Sequence, residues 1–289
     1  MRTLVVGAER QLGRALVVAL GSDVAWAGGR AQLDVHDGAA VARIVGDVRP
    51  DVVFNAAAYN AVDRAESEPD QAFAVNAVGP AHLARAARTV AALMVHVSSD
   101  YVFGGDAGRA YVEDDRPAPV SLYGVSKAAG ELAVAACGGE HLIVRTSGVF
   151  GVGGSRAKGG SFVERILSKA RAGDVLRVVD DQVFAPTYAP DLAAALVALV
   201  ATGARGAYHV TNDGRCSWHA LATAALELAG LARPVARVSA AELALPARRP
   251  AYSVLASLRY DATGLPPLRS WREALRAFLK ELGVAEARA

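Results

Sequence analysis

The sequence predicts an α/β fold: a Rossmann-like doubly wound parallel sheet with a smaller C-terminal lobe. Three observations carry that prediction. Short β-branched runs alternate with longer stretches whose apolar residues recur at helical spacing. The runs are continuously apolar, as strands covered on both faces are. Polar residues gather just after the runs, where ligands bind in open sheets of this kind.

The chain opens on TLVVG (3–7), a strand whose last glycine begins the turn GAERQLG (7–13). RALVVAL follows, so a helix is expected over 12–20. DVAWA (23–27) is the second strand, and Asp37 caps a helix over 37–46. DVVFNAA (51–57) and LMVHVSS (93–99) are the third and fourth strands. A helix over 69–91 lies between them, with Pro69 at its first turn. A helix over 121–136 opens on Ser121 and leads to HLIVRTS (141–147). Beyond come a helix over 160–172, the strand LRVVD (176–180), a helix over 188–202 and the strand AYHVT (207–211). After residue 150 the pattern loosens into GVGGSRAKGG, DDQVFAPTYAP and LALPARRPAYS, loop-rich segments that place a smaller lobe over the sheet edge.

The 289 residues are 53% apolar, ample for a large buried core. No apolar run reaches the roughly 18 residues of a membrane span, and the first residues lack the order of a signal peptide. A cytoplasmic protein with no membrane partner is expected. Cys137 and Cys216 form neither a disulfide framework nor a zinc motif. The net charge is +2, and the arginines are scattered without interleaved aromatics, so nucleic acid is not an expected partner.

Read alone, GAERQLG is either a pyrophosphate turn or a polar loop. Gly7 and Gly13 stand at the first and last positions of a G-x-x-G-x-x-G pattern, and Arg10 holds the middle. No acid ends the second strand, where it would hold the ribose hydroxyls of NAD; Arg30 stands there instead. That points to NADPH, with NADH as the alternative, and puts Arg30 and Arg10 near the 2′-phosphate. Tyr123 and Lys127, in YGVSK (123–127), lie one helical turn apart. A lysine beside a phenol brings its pKa toward neutrality and fits it to give a proton to a carbonyl receiving hydride. Ser99, at the end of the fourth strand, offers a hydroxyl to the same carbonyl oxygen.

Nine ordered motifs together resemble the extended short-chain dehydrogenase/reductase family, and most closely its dTDP-4-dehydrorhamnose reductase branch. They are GAERQLG, LDVHD (33–37), NAAAYNAVDRAE (55–66), VNAVGP (75–80), SSDYVFGG (98–105), YGVSK, RTSGVFG (145–151), DQVFAPTYAPDLA (181–193) and RPAYSVL (249–255). The resemblance runs from residue 1 to about 280. It implies Tyr123 as proton donor, Lys127 as its activator and ribose ligand, and Ser99 orienting the carbonyl in place of the branch's usual threonine. It places Gly7, Gln11, Leu12 and Gly13 at the pyrophosphate and Asp34 and Val35 at the adenine. Ala56, Ala57, Ala58 and Tyr59 fall along the middle of the cofactor, and Asn76 and Ser98 on the nicotinamide side. Asn60, Val62, Ser99, Asp100, Tyr101, Gly148, Phe184, Arg249 and Ser253 fall on the substrate side, Arg249 and Ser253 toward the nucleotide diphosphate. Residues 1–150, joined by 187–211, would bind the dinucleotide; 151–186 and 212–289 would form the substrate-binding lobe.

The resemblance implies a dTDP-linked 4-keto-6-deoxyhexose as substrate, reduced by a monomer or homodimer. Departures concentrate on the sugar side: Gly148 replaces a tryptophan, Phe184 a glycine, Ser161 an asparagine and Asn60 a threonine. These imply either a different sugar or drift. Related dehydratases carry Asp-Glu after the strand-end residue. Here Tyr101 follows Asp100, which equips the chain for reduction instead of dehydration or epimerisation. Some relatives dimerise through magnesium held by a glutamate where this chain has Ala15, so no metal site is expected. A non-catalytic NADP-binding subunit, like the methionine adenosyltransferase β subunit, is the alternative from another class.

Overall fold

The computed structural model describes residues 1–154 and 160–284. Six parallel strands form the central sheet in the order β10-β5-β4-β3-β1-β2. They are β1 (Thr3–Val6), β2 (Val24–Gly28), β3 (Val52–Asn55), β4 (Leu93–Ser99), β5 (His141–Thr146) and β10 (Gly206–His209). From β1 the chain steps out to β2, then returns past β1 to β3, β4 and β5. The order therefore reverses beside β1, and the crevice at the ends of β1 and β3 is the ligand position of such folds.

Every residue of β1 and β3 is buried, which explains their uninterrupted apolar reading. Helices cover both faces. On one, α1 (Gln11–Leu20) packs with α8 (Ala189–Ala201) through Leu12, Leu16, Leu192, Leu196 and Leu199. On the other lie α2 (Gly38–Val48), α5 (Gly79–Thr89) and α6 (Leu122–Ala136), joined through Val41, Val45, Leu83, Ala87 and Val134. Each fully buried side chain of this size stabilises the fold by roughly 1.5–3 kcal/mol.

The helix expected over 69–91 divides. The short α3 (Val62–Ala65) precedes α4 (Pro69–Phe73), and a π-helical turn, Ala74–Val78, carries the chain into α5. The strand read over 176–180 lies outside the central sheet: β7 (Leu176–Val179) pairs in parallel with β12 (Val235–Val238). Two further two-stranded pairs lie outside the central sheet. In one, β6 (Val149–Phe150) joins β9 (Thr187–Tyr188); in the other, β8 (Val183–Phe184) meets β11 (Cys216–Ser217) antiparallel. Three longer helices, α7 (Phe162–Ala172), α9 (Trp218–Leu228) and α12 (Trp271–Glu281), bury a second core containing Leu167, Leu221, Leu275 and Phe278. The short α10 (Ala240–Leu243) and α11 (Leu258–Asp261) complete the lobe.

Two elements, α9 and β12, were not read from the sequence: α9 is alanine-rich and β12 has only four residues, so neither carries much period.

Candidate active site

The turn between β1 and α1 explains its own glycines. Gly7 has φ of +82°, and a Cβ there would stand 2.6 Å from the Ala57 nitrogen. A Cβ on Gly13 would stand 2.1 Å from the Gly7 carbonyl oxygen. Arg10 is different: φ of −100° and ψ of 170° are extended backbone that any residue adopts, so arginine costs nothing there. Its exposed side chain, with Gln11 and Leu12, lines one end of a cleft of about 330 Å³. Side-chain caps close α2, α6, α7, α9 and α12, but none closes α1. Its N-terminal N–H groups at the cleft suit a pyrophosphate, so the turn fits a dinucleotide. Gln11 Nε2 donates to Gly151 O at 3.0 Å and ties the turn to the segment after β5.

Arg30 is 80% exposed and leans toward Asp34, 3.7 Å away, a surface pair of small energy. The Glu9 side chain lies over Gly29, its Oε2 2.4 Å from where a Cβ would be, so an acid from the first turn reaches the strand end that carries none of its own. Val35 points into the core, where its Cγ2 fills the space beside Gly79.

From the segment after β3, Ala56, Ala58, Asn60 and Val62 line the cleft, while Ala57 packs beneath Gly7. Tyr59 turns away; its hydroxyl donates to Glu68 at 2.8 Å. Asn76 is 0% exposed and works from behind: its Oδ1 accepts from Tyr59 N at 2.8 Å, and its Nδ2 donates to Tyr59 O and Ser126 Oγ. These bonds hold the loop that forms the cleft wall, and they occupy the amide expected on the nicotinamide side.

Ser121 caps α6 by accepting from Gly124 N, which fixes Tyr123 and Lys127 on the buried face. The Tyr123 hydroxyl reaches Asn60 Oδ1 at 3.4 Å, and its ring stands edge-on to Tyr101. Burial pushes the phenol up to about 12, while a hydrogen bond with Ser99 draws it back. The lysine does not produce the expected lowering. Lys127 Nζ donates to Val97 O at 2.7 Å, so the buried phenol keeps its proton, as a proton donor must. Burial also pulls the Lys127 ammonium down to about 8, and the Glu131 charge opposes it.

The two serines ending β4 diverge. Ser98 also lines the cleft, but its Oγ donates at 2.5 Å to the buried Glu131 Oε1. Ser99 lies in the cleft wall beside Tyr123; its Oγ donates to Asp100 Oδ1 at 3.0 Å. Asp100 is a buried hub that also accepts from Ser147 at 2.8 Å and Ser253 at 2.5 Å. Burial raises its carboxyl to about 6 despite those three donors. The hydroxyl of Ser253, expected at a diphosphate, is thus spent on Asp100. Arg249 is likewise engaged: its Nη2 donates to Asp63 Oδ2 at 2.8 Å and clamps the late loop to α3.

The far wall is aromatic. Phe184 stacks on Trp218 with centroids 4.0 Å apart, and Phe162 meets the other side of the indole edge-on. Gly148, Phe162 and Trp218 line the cleft with Tyr123 and Ser99. Ser161 buries its hydroxyl as the cap of α7, a task asparagine performs equally, so that departure needs no change of ligand. Sequence reasoning missed Ser147, Trp218, Glu131 and Arg145. Glu131 was the most findable, since it continues the Tyr123–Lys127 face by one more turn.

The described geometry agrees with known proteins. Residues 1–284 match the family model described as RmlD substrate binding domain. A dTDP-4-dehydrorhamnose reductase of Streptomyces griseus is 46% identical over 95% of this chain and 91% of its own length. A protein of Streptomyces antibioticus named as a probable dTDP-4,6-dihydroxy-2-methyloxan-3-one 4-ketoreductase is 40% identical over 99% of this chain and 97% of its own. The crystal structure of dTDP-4-dehydrorhamnose reductase from Bacillus anthracis, in complex with NADP, superposes with a TM-score of 0.92. It is 35% identical and covers 97% of this chain and 99% of its own.

Proposed function

The chain belongs to the RmlD substrate binding domain family, and from that premise we propose how it works. It is an NAD(P)H-dependent oxidoreductase that reduces the C4 carbonyl of a dTDP-4-keto-6-deoxyhexose with NADPH. One observation carries the assignment of roles: Tyr123, Ser99 and Lys127 line the same cleft as the uncapped start of α1. Gly7, Gln11, Leu12 and Gly13 would hold a dinucleotide, which would supply the hydride when bound.

The remaining steps belong to the chain. Ser99 orients the sugar carbonyl oxygen by a hydrogen bond, polarising the bond to be reduced. Tyr123 gives that oxygen its phenolic proton, which burial has kept in place until charge develops there. Lys127, held by Val97 O, supplies the positive field that stabilises the resulting phenolate. Segments 1–150 and 187–211 carry the dinucleotide side, and the described residues of 151–186 and 212–289 close over the sugar. Asp100 keeps its hub bonds and shapes the floor of the sugar recess with Tyr101 and Gly148.

The sugar differs from that of the family's usual member. What supports this is the Gly148–Phe184 exchange in the wall and the existence of a 40% identical relative named for another dTDP-sugar ketone. The enzyme acts in the cytoplasm as a monomer or homodimer. The test is NADPH oxidation with a panel of enzymatically generated dTDP-4-keto-6-deoxy sugars. Activity with none of them, while NADPH still binds, would transfer support to a non-catalytic subunit.

A further inference from the structure

Lys127 joins a buried polar array whose other members the reaction does not use. Lys127 is 2% exposed, and Val97 O accepts from its ammonium. The next residue of β4, Ser98, donates to Glu131 Oε1. Glu131 stands one turn beyond Lys127 on α6 and is itself buried. Arg145, on β5, grips it with Nε at 3.0 Å and Nη2 at 2.7 Å, and its Nη1 donates to Glu113 O at 3.2 Å. So α6 holds two consecutive residues of β4, immediately before Ser99, through Lys127 and Glu131.

We propose that Glu131 is a positioning residue for this reaction: clamped by Arg145, it fixes the end of β4 through Ser98 and sets the charge surroundings of Lys127, one turn away on the same helix face. The proposal rests on the ketoreductase reading of the site.

Stability alone is a poor reason for this pair. Replacing a buried ion pair with apolar side chains is often neutral or favourable, whereas removing one partner leaves a costly bare charge. The surroundings give the pair a specific task. Lys127 shares its helix face with Tyr123 and Glu131, and Glu131 is the charge that acts on its ammonium. His96 of β4, whose Nε2 has no hydrogen-bond partner among the described residues, feels the Lys127 charge, while Arg145 of β5 reaches the lysine through Glu131. His96 is held neutral by burial and by the Lys127 charge. Beyond Arg145 lies His209, 3.4 Å away and also held neutral. Asp100 is occupied by three serines, Ser99, Ser147 and Ser253. Glu131 is therefore the anion that balances two cations, Arg145 and Lys127. Without its charge the lysine sheds its proton more readily; without Arg145 the lysine holds it more tightly.

The opposite signs make the test. The pH profile of kcat is measured for wild type, Glu131→Gln, Glu131→Asp and Arg145→Gln, with NADPH affinity followed by fluorescence and folding by thermal melting. For Glu131→Gln, kcat falls about tenfold at pH 8, and the alkaline limb moves to lower pH by about one unit, the Coulomb effect of one neighbouring charge. NADPH affinity stays within about twofold. Glu131→Asp returns the limb toward its wild-type position, and Arg145→Gln moves it to higher pH. Limbs that stay fixed in every folded variant overturn the proposal, whatever happens to kcat.

The chain has only four lysines, so selectively labelled lysine resonances report Lys127 directly. An uncharged Lys127 at pH 7 in wild type overturns the proposal even if no variant folds. A Lys127 that titrates lower in Glu131→Gln supports it even if no 4-keto sugar is turned over, which separates its failure from failure of the ketoreductase reading.

Discussion

The ring of Phe184 fills the space that a side chain on Gly148 would need. A Cβ at 148 would stand 2.2 Å from Phe184 Cε2, and the ring is fixed from the other side by Trp218, stacked 4.0 Å away. Gly148 also has φ of +51°, which strains any other residue. The two positions are thus one physical unit.

That coupling has a measurable form. Phe184→Gly empties a buried site and costs about 3–5 kcal/mol, and Gly148→Trp overpacks the wall at a cost of roughly 1–3 kcal/mol. The double variant costs less than the sum, because the indole enters the space the phenyl leaves. Urea unfolding of the four proteins gives the coupling energy; strict additivity would show that the residues do not share the space. The ratio of kcat/KM between two 4-keto sugars shifts in the double variant if this wall selects the sugar.

At the cofactor end, Arg10 has unstrained backbone and an exposed cationic side chain at the cleft mouth. Arg10→Gly removes charge without altering the turn. NADPH binding weakens about tenfold, the scale of one charge-assisted phosphate contact, and NADH binding changes little. Glu9, lying over Gly29, acts with the opposite sign, so Glu9→Gln tightens NADPH relative to NADH. Calorimetric titration with both dinucleotides decides; equal effects on the two would show that neither side chain meets the 2′-phosphate.

Acid stability follows from two buried histidines. Burial holds His96 well below its usual range and His209 at about 4. A base with a depressed folded value contributes stability above its unfolded value of about 6.5, and this is lost as pH falls toward the folded one. His209 alone accounts for about 3 kcal/mol of loss. Asp100 has the reverse sign: raised to about 6, it favours the fold at low pH and loses that contribution between about 4 and 6 as pH rises. The net expectation is a melting temperature that falls from pH 6.5 to pH 4, with a shallower fall in His209→Gln. An equal slope in that variant would remove His209 from the account.

How much of this was readable in advance depends on what sets each feature. LMVHVSS was legible as β4 to the residue, because a strand buried on both faces reads as a mostly apolar, β-branched run, here closed by two serines at its C-terminal end. Tyr123 and Lys127 were legible because their spacing is that of one helical turn. The directions of side chains were not. Nothing local says that Ser98 turns down to Glu131 while Ser99 turns up beside Tyr123; the alternation along a strand gives opposite faces, but not which face is the cleft. Ser253 and Arg249 read as free polar groups, yet their partners, Asp100 and Asp63, lie about 150 and 190 residues away in sequence and are joined only by the fold. Glu9 is a similar case, since its proximity to Gly29 depends on the tilt of the first turn over β2.

The central claim is that Tyr123 gives its proton to the C4 oxygen of a dTDP-4-keto-6-deoxyhexose as NADPH is oxidised. The most direct measurement is single-turnover NADPH oxidation with the preferred 4-keto sugar for wild type and Tyr123→Phe, with NADPH affinity measured alongside. The account predicts a loss of about 10²–10⁴-fold in the rate, the usual worth of a positioned acid, with NADPH affinity nearly unchanged. Wild-type rates in Tyr123→Phe would contradict it.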